Sequence, residues 1–149
     1  MAATREVAFE QARARWPEVE LDYQVWCAHL EALGWSGEPP PTAASLFLCC
    51  ACARRDPAAF RSFEEVYEGA LRSVVAREGR DEEFIDWVMR SARHQLFADA
   101  VPKIASYDGR RPLADWLRTF VQRLALAQKI ADRAIDTTPP VPPAELRRL

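Results

Sequence analysis

The residues with the most chemistry to offer lie together in YDGRRPLADWLRTFVQRLAL, residues 107–126, where arginines are set among tryptophan, phenylalanine and leucine. Guanidinium groups attract phosphates and flat aromatic rings give bases a face to stack on, so this mixture suits nucleic-acid binding better than bond cleavage. The local charge agrees. Residues 1–100 hold 11 arginines against 17 acidic residues, whereas 101–133 hold Lys103, Arg110, Arg111, Arg118, Arg123, Lys129 and Arg133 against Asp108, Asp115 and Asp132. In a chain of formal net charge −2, the only basic segment is the one that carries this stretch.

The other reactive residue types point nowhere so definite. Cys49 and Cys52 form a CxxC within LFLCCACA, and Cys27 with His29 would make up a zinc tetrahedron. Structural zinc sites usually pair two such knuckles in loops, whereas this one lies in an apolar helical run, so the cysteines are expected to be small buried hydrophobes. No metal and no other cofactor is expected. His29 and His94 are the only histidines, no serine or cysteine shows a nucleophile motif, and no glycine loop is built for phosphate, so an enzyme is not expected either.

These residues need elements to position them. A chain of 149 residues with 49% hydrophobic content can bury one core. Its few glycines and long periodic apolar runs predict an all-α fold, a compact helical bundle preceded by a helical arm. The opening MAATREVAFEQ has no apolar signal region and no run is long enough to span a membrane, which predicts a cytoplasmic protein with no membrane partner. Helices are expected over 4–15 and 22–33, the second closed by Gly34, with the stiff GEPPP connector after them, so residues 1–36 form the arm. Thr42 is expected to cap a strongly apolar helix to about Arg54, and Asp56-Pro57 to start one reaching about Glu78. On the latter, Phe60, Phe63, Tyr67, Ala70 and Val74 share a face. Asp81 is expected to cap the next, with Phe84 or Ile85, Val88, Ala92 and Leu96 as its core stripe. The last helix runs from Pro112 to about Arg133, and 134–149 is a proline-rich tail.

On that last helix, Leu113, Leu117, Phe120, Leu124, Ala127 and Ala131 fall within about 80°, which predicts the core side. With the helical phase extended back to the loop, Arg111, Arg118, Gln122, Lys129 and Arg133 fall within about 60° on the side away from it. Trp116 sits on a shoulder between the two.

DPAAFRSFEEVYEGALRSVV, then an acid-capped helix, then IASYDGRRPLADWLRTFVQRLALAQ, resembles the second conserved region of bacterial RNA polymerase sigma factors, specifically the extracytoplasmic-function group of the sigma-70 family. The segment ASLFLCCACARRDPAAF in front is similar to the variant of myxobacteria-type genomes. The resemblance spans residues 42–133, and its most specific part is the Y-x-G-x-x-P-L-x-x-W-L-R block. It implies a small helical bundle that docks one helix on the clamp helices of the largest subunit of core RNA polymerase. It also implies that the last helix and its preceding loop open the promoter −10 element and hold a flipped base of the non-template strand.

Carried onto this chain, the resemblance implies that Ser106, Tyr107, Asp108, Arg110 and Arg111 form the base-capturing loop. Trp116, Arg118, Gln122, Lys129 and Arg133 would then meet the DNA. Glu83, Trp87, Arg90 and His94 share a face of helix 81–98 and would meet the polymerase, an exposed tryptophan beside arginine being the composition of a binding hot spot, unless Trp87 packs under the arm, as large apolar side chains often do. An anti-sigma protein is a further partner the family implies.

The chain also departs from the family. QKIADRAID dilutes the dense arginine run with which family members finish this helix. Residues 134–149 hold a proline-rich segment where the family continues through a linker into a helix-turn-helix domain reading the −35 element, so the chain is either truncated or sigma-like without that reader. The arm, with Trp16, Trp26 and Trp35, lies outside the matched pattern and is expected to act as an autoinhibitory or partner-binding cover. Two readings therefore stand together, a promoter-melting sigma domain and a sigma-like regulator that has lost promoter recognition.

Overall fold

The structure, a computed structural model, describes residues 4–137. Among them all regular structure is helical, as the apolar periodicity predicts. In chain order, α1 is Arg5–Arg15, α2 is Tyr23–Ala32 and α3 is Ala43–Ala53. Next, α4 joins Pro57–Phe63, a π-turn at Glu64–Glu68 and Gly69–Glu78, and α5 is Glu82–Arg93 with a closing π-turn at His94–Ala98. A 3-10 turn, Lys103–Ser106, leads to α6, Leu113–Thr137, which outlasts the expected end near Arg133. Of the expected proline-rich tail, residues 138–149 lie outside the described residues. No described helix is long and apolar enough to cross a membrane.

Short polar side chains start most of these helices by accepting orphan backbone N–H groups. Thr4 accepts from Val7, Asp22 from Gln24 and Val25, Asp56 from Ala58, and Asp81 from Glu83. Thr42 is the exception, since its hydroxyl makes no cap bond and is used elsewhere. At the far ends, α2 and α3 close in the same way, with a left-handed residue after the cap. Gly34 takes φ 91° after α2, and Arg55 takes φ 65° after α3.

α3 is apolar on every side, and Leu46 through Cys52 are all buried, so it is the axis on which the N-terminal half is built. The arm belongs to this core and is not a detached cover. The Trp16 indole N–H donates to the Ala44 carbonyl at 2.9 Å, and the Phe9 ring lies 5.5 Å from those of both Trp26 and Phe47. Trp26 is fully buried. In the C-terminal half, α6 packs against the second part of α4 and against α5.

Two expected stripes shift. On α4 the buried line runs Phe63, Leu71 and Val75, with Val74 buried as expected and Phe60 and Tyr67 partly covered, while Ala70 is exposed. Residues four apart drift by about 40° per step on a regular α-helix, and the π-turn at Glu64–Glu68 absorbs that drift. On α6 the buried line is Leu113, Leu117, Val121 and Ala125. Phe120 and Leu124 are only partly buried, and Ala127 and Ala131 are exposed. The core side is rotated by about 60° toward the arginines relative to the expected stripe. On α5, Ile85, Val88, Ala92 and Leu96 are buried as expected, joined by Met89 and Phe97.

Candidate nucleic-acid interface

The loop 107–112 lies where the two halves meet, and side-chain donors hold three of its carbonyls. Tyr107 donates its hydroxyl to the Arg111 carbonyl at 2.6 Å, Thr42 donates to that of Gly109 at 2.6 Å, and the Trp35 indole N–H donates to that of Asp108 at 2.6 Å. The Asp108 carboxylate accepts from the Arg110 backbone N–H at 3.0 Å, closing the turn from inside. Gly109 is required here. Its φ is +77°, and a Cβ would lie 2.6 Å from Leu46 Cδ1 and 2.7 Å from Thr42 Oγ1. The Ser106 hydroxyl donates to the Lys103 carbonyl at 2.7 Å, fixing the turn that enters the loop.

Tyr107 is fully buried, so it has no face for a base. Its ring packs 5.5 Å from that of Trp116, which in turn stacks on Phe120 at 6.1 Å with only 7° between the planes. Burial pushes the Tyr107 hydroxyl up to about 12, so it stays protonated and keeps donating. Trp116 is partly buried and packed against the core. Both aromatics pack behind the loop, which corrects the expectation that Tyr107 meets DNA, whereas Trp116 keeps a partly exposed side.

The cations divide into two groups. Arg110 and Arg111 are exposed, and among the described residues no carboxylate is paired with either. Arg118 lies 3.3 Å from Asp115, and Lys129 is 3.4 Å from Glu78 on α4. Gln122 is half-buried, and Arg133 is exposed near the end of α6. Because the buried line is rotated toward them, Arg118, Gln122 and Lys129 flank the contact with α4 instead of facing directly away from the core. The outermost line of α6 carries Arg123, with Leu126 and Ile130 exposed.

On α5, Glu83, Trp87, Arg90 and His94 are all exposed and share a face across the π-turn. Trp87 is 49% exposed and not covered by the arm, and its indole N–H donates to Gln128 Oε1 of α6 at 2.8 Å. Gln128 passes the network on, donating to Asp132 Oδ1 at 2.8 Å. His94 Nε2 lies 3.0 Å from Asp99. A groove beside this face is floored by Phe60 and Phe97 and rimmed by Arg90 and His94.

Cys49, Cys50 and Cys52 are buried within α3, and burial pushes all three thiols up, Cys50 to about 11, which disfavours the thiolate that a metal needs. No group of three or more His, Cys, Asp or Glu among the described residues is placed to hold a metal ion.

Sequence reasoning missed Trp35 and Thr42 as parts of the loop. The available signals were the Asp108-Gly109 pair, which needs partners for its carbonyls, and a tryptophan placed directly after a helix-closing glycine. Compared with known proteins, the chain matches no family model, no curated protein and no solved structure.

Proposed function

We propose that this chain is a sigma region-two domain, a binding module without catalysis that docks on core RNA polymerase and engages the −10 element of promoter DNA through loop 107–112 and α6. The observation that carries the reading is the loop itself. Its backbone is fastened by three side-chain donors while Arg110 and Arg111 stand exposed and unpaired by carboxylate among the described residues. Such a loop meets a strand without first paying to order itself. The exposed Trp87, with Arg90 and His94 beside it, supports α5 as the polymerase-docking helix.

One observation favours a second reading, a sigma-like regulator that binds polymerase or another protein without promoter recognition. Asp115 and Glu78 lie against Arg118 and Lys129, so at least two of the five expected DNA-facing cations already have acidic neighbours. Exposed pairs of this kind are weak and a phosphate can compete for them, which leaves the first reading ahead.

The test is capture of purified core RNA polymerase by the full chain, followed by binding of the complex to a fluorescent single-stranded −10 oligonucleotide. The expected result is capture together with sequence-dependent strand binding that weakens steeply with salt. Trp87→Ala is expected to lower polymerase capture about tenfold or more while leaving the folded state intact, because half of this indole is already in solvent. Capture without strand binding would establish the regulator, and no capture would remove the sigma domain and leave the regulator only as a binder of another protein.

A further inference from the structure

Trp35 closes the arm in a position set by three separate contacts. Gly34 turns the chain out of α2, the Trp35 N–H donates to the Leu30 carbonyl at 2.9 Å, and the Trp35 carbonyl accepts from Arg5 of α1 at 3.2 Å. Arg5 is itself tied to Glu31 at 3.1 Å. So placed, the indole donates to the Asp108 carbonyl and carries the Arg110 guanidinium on its ring, with the guanidinium carbon 4.0 Å from the centroid. The guanidinium thus lies over the indole ring, and among the described residues its N–H donors make no hydrogen bond. Arg110 is still exposed in this arrangement.

We propose that Trp35 is a positioning residue of the nucleic-acid face, holding Arg110 flat so that its N–H edge meets a phosphate of a single strand lying along loop 107–112. The inference rests on the nucleic-acid reading above, and it gives the arm a role in that reading. An arginine on a flexible stem loses much rotamer freedom when it grips a phosphate, and stacking on the indole removes part of that cost beforehand. A lid that silenced Arg110 would cover the guanidinium or pair it with a carboxylate. Here it is exposed, and among the described residues no carboxylate is paired with it.

The first measurement needs no nucleic acid. In the full chain, the Arg110 side-chain N–H resonance is expected to be displaced by the indole ring current, to keep most of that displacement in Trp35→Phe, and to lose it in Trp35→Ala. The second is binding of a fluorescent oligo-dT strand, which carries phosphates but no promoter sequence and so separates this inference from the promoter reading. Trp35→Ala and Arg110→Ala are each expected to weaken it by about three- to tenfold and to lower the salt slope by about 0.7, one single-strand phosphate contact. The double variant should be no weaker than Arg110→Ala, and Trp35→Phe should bind nearly as wild type.

Additive losses, an unchanged Trp35→Ala, or no binding of oligo-dT by the wild type would overturn the proposal. So would a Trp35→Ala that binds more tightly, which would make the arm a lid. Normal binding of oligo-dT with this pattern, but no preference for the −10 strand, would sink the promoter reading and leave the Trp35 role standing.

Discussion

Single side chains at two positions fix how this fold answers to acid and to added atoms. His29 on α2 has its Nε2 buried with no hydrogen-bond partner among the described residues, and burial holds its protonation below the usual histidine range. The folded state therefore favours neutral imidazole. The stability this supplies is complete above the unfolded value of 6.5 and is lost as pH falls through it, because the unfolded chain then binds the proton more readily. Urea denaturation at pH 7.5 and 5.5 should show a drop in wild-type stability that is smaller in His29→Gln, and equal drops would remove His29 from the account. Gly109 is the second such position. Gly109→Ala forces a side chain into a left-handed backbone and against Leu46 and Thr42, so it should destabilise by roughly 2 to 4 kcal/mol in the same assay.

Among the elements, the end of α3 carries a removable strain. The Arg55 N–H donates to the Cys52 carbonyl at 2.9 Å and the Asp56 N–H to that of Ala51 at 3.2 Å, a helix stop built for glycine at the left-handed position. Arg55→Gly should raise stability by about 0.5 to 1 kcal/mol, the relief being partly offset by the greater freedom of glycine in the unfolded chain. A melting temperature higher by about 2 to 4 °C is the expected reading, and an unchanged or lower one would mean that Arg55 makes a compensating contact.

Helix positions and caps were readable because they depend on local chemistry. Asp56-Pro57, Asp81 and Gly34 act where their residue types place them. The facing of α4 and α6 was not readable to the same degree. It depends on a π-turn with no sequence mark, and on Val121 and Ala125, which weigh little in a hydrophobicity pattern beside Phe120 and Leu124 yet fit a close helix contact. At the candidate site, the exposure of Arg110 and Arg111 followed from the pattern, whereas that of Trp87 did not, because the same face could equally have packed under the arm. The burial of Tyr107 did not, because only the fold reveals that its hydroxyl serves the loop.

Taken whole, the molecule is organised around a core that the arm helps to fill. Phe9, Trp16, Trp26 and Leu30 belong to the same buried cluster as α3. Trp26→Ala should therefore cost roughly 3 to 5 kcal/mol and lower the unfolding midpoint of the entire chain in one transition. An early, separate transition of the arm, seen by far-UV circular dichroism with the rest unmoved, would show that it folds apart. Readable from sequence were the all-helical class and the helices of the arm. Its burial was not, because tryptophans at an N-terminus look the same whether they cover a surface or fill a core.

The bond from Trp35 to the Asp108 carbonyl joins residues 73 apart. Contacts of such separation close late, after α4, α5 and α6 have had the chance to meet their near neighbours. The arginine loop thus acquires its final shape only once the arm and the segment that precedes α6 have been brought together. A nascent or half-folded molecule, however helical, presents loose arginines where the finished one presents a set surface, so whatever the proposed interface binds would meet it only on the completed fold.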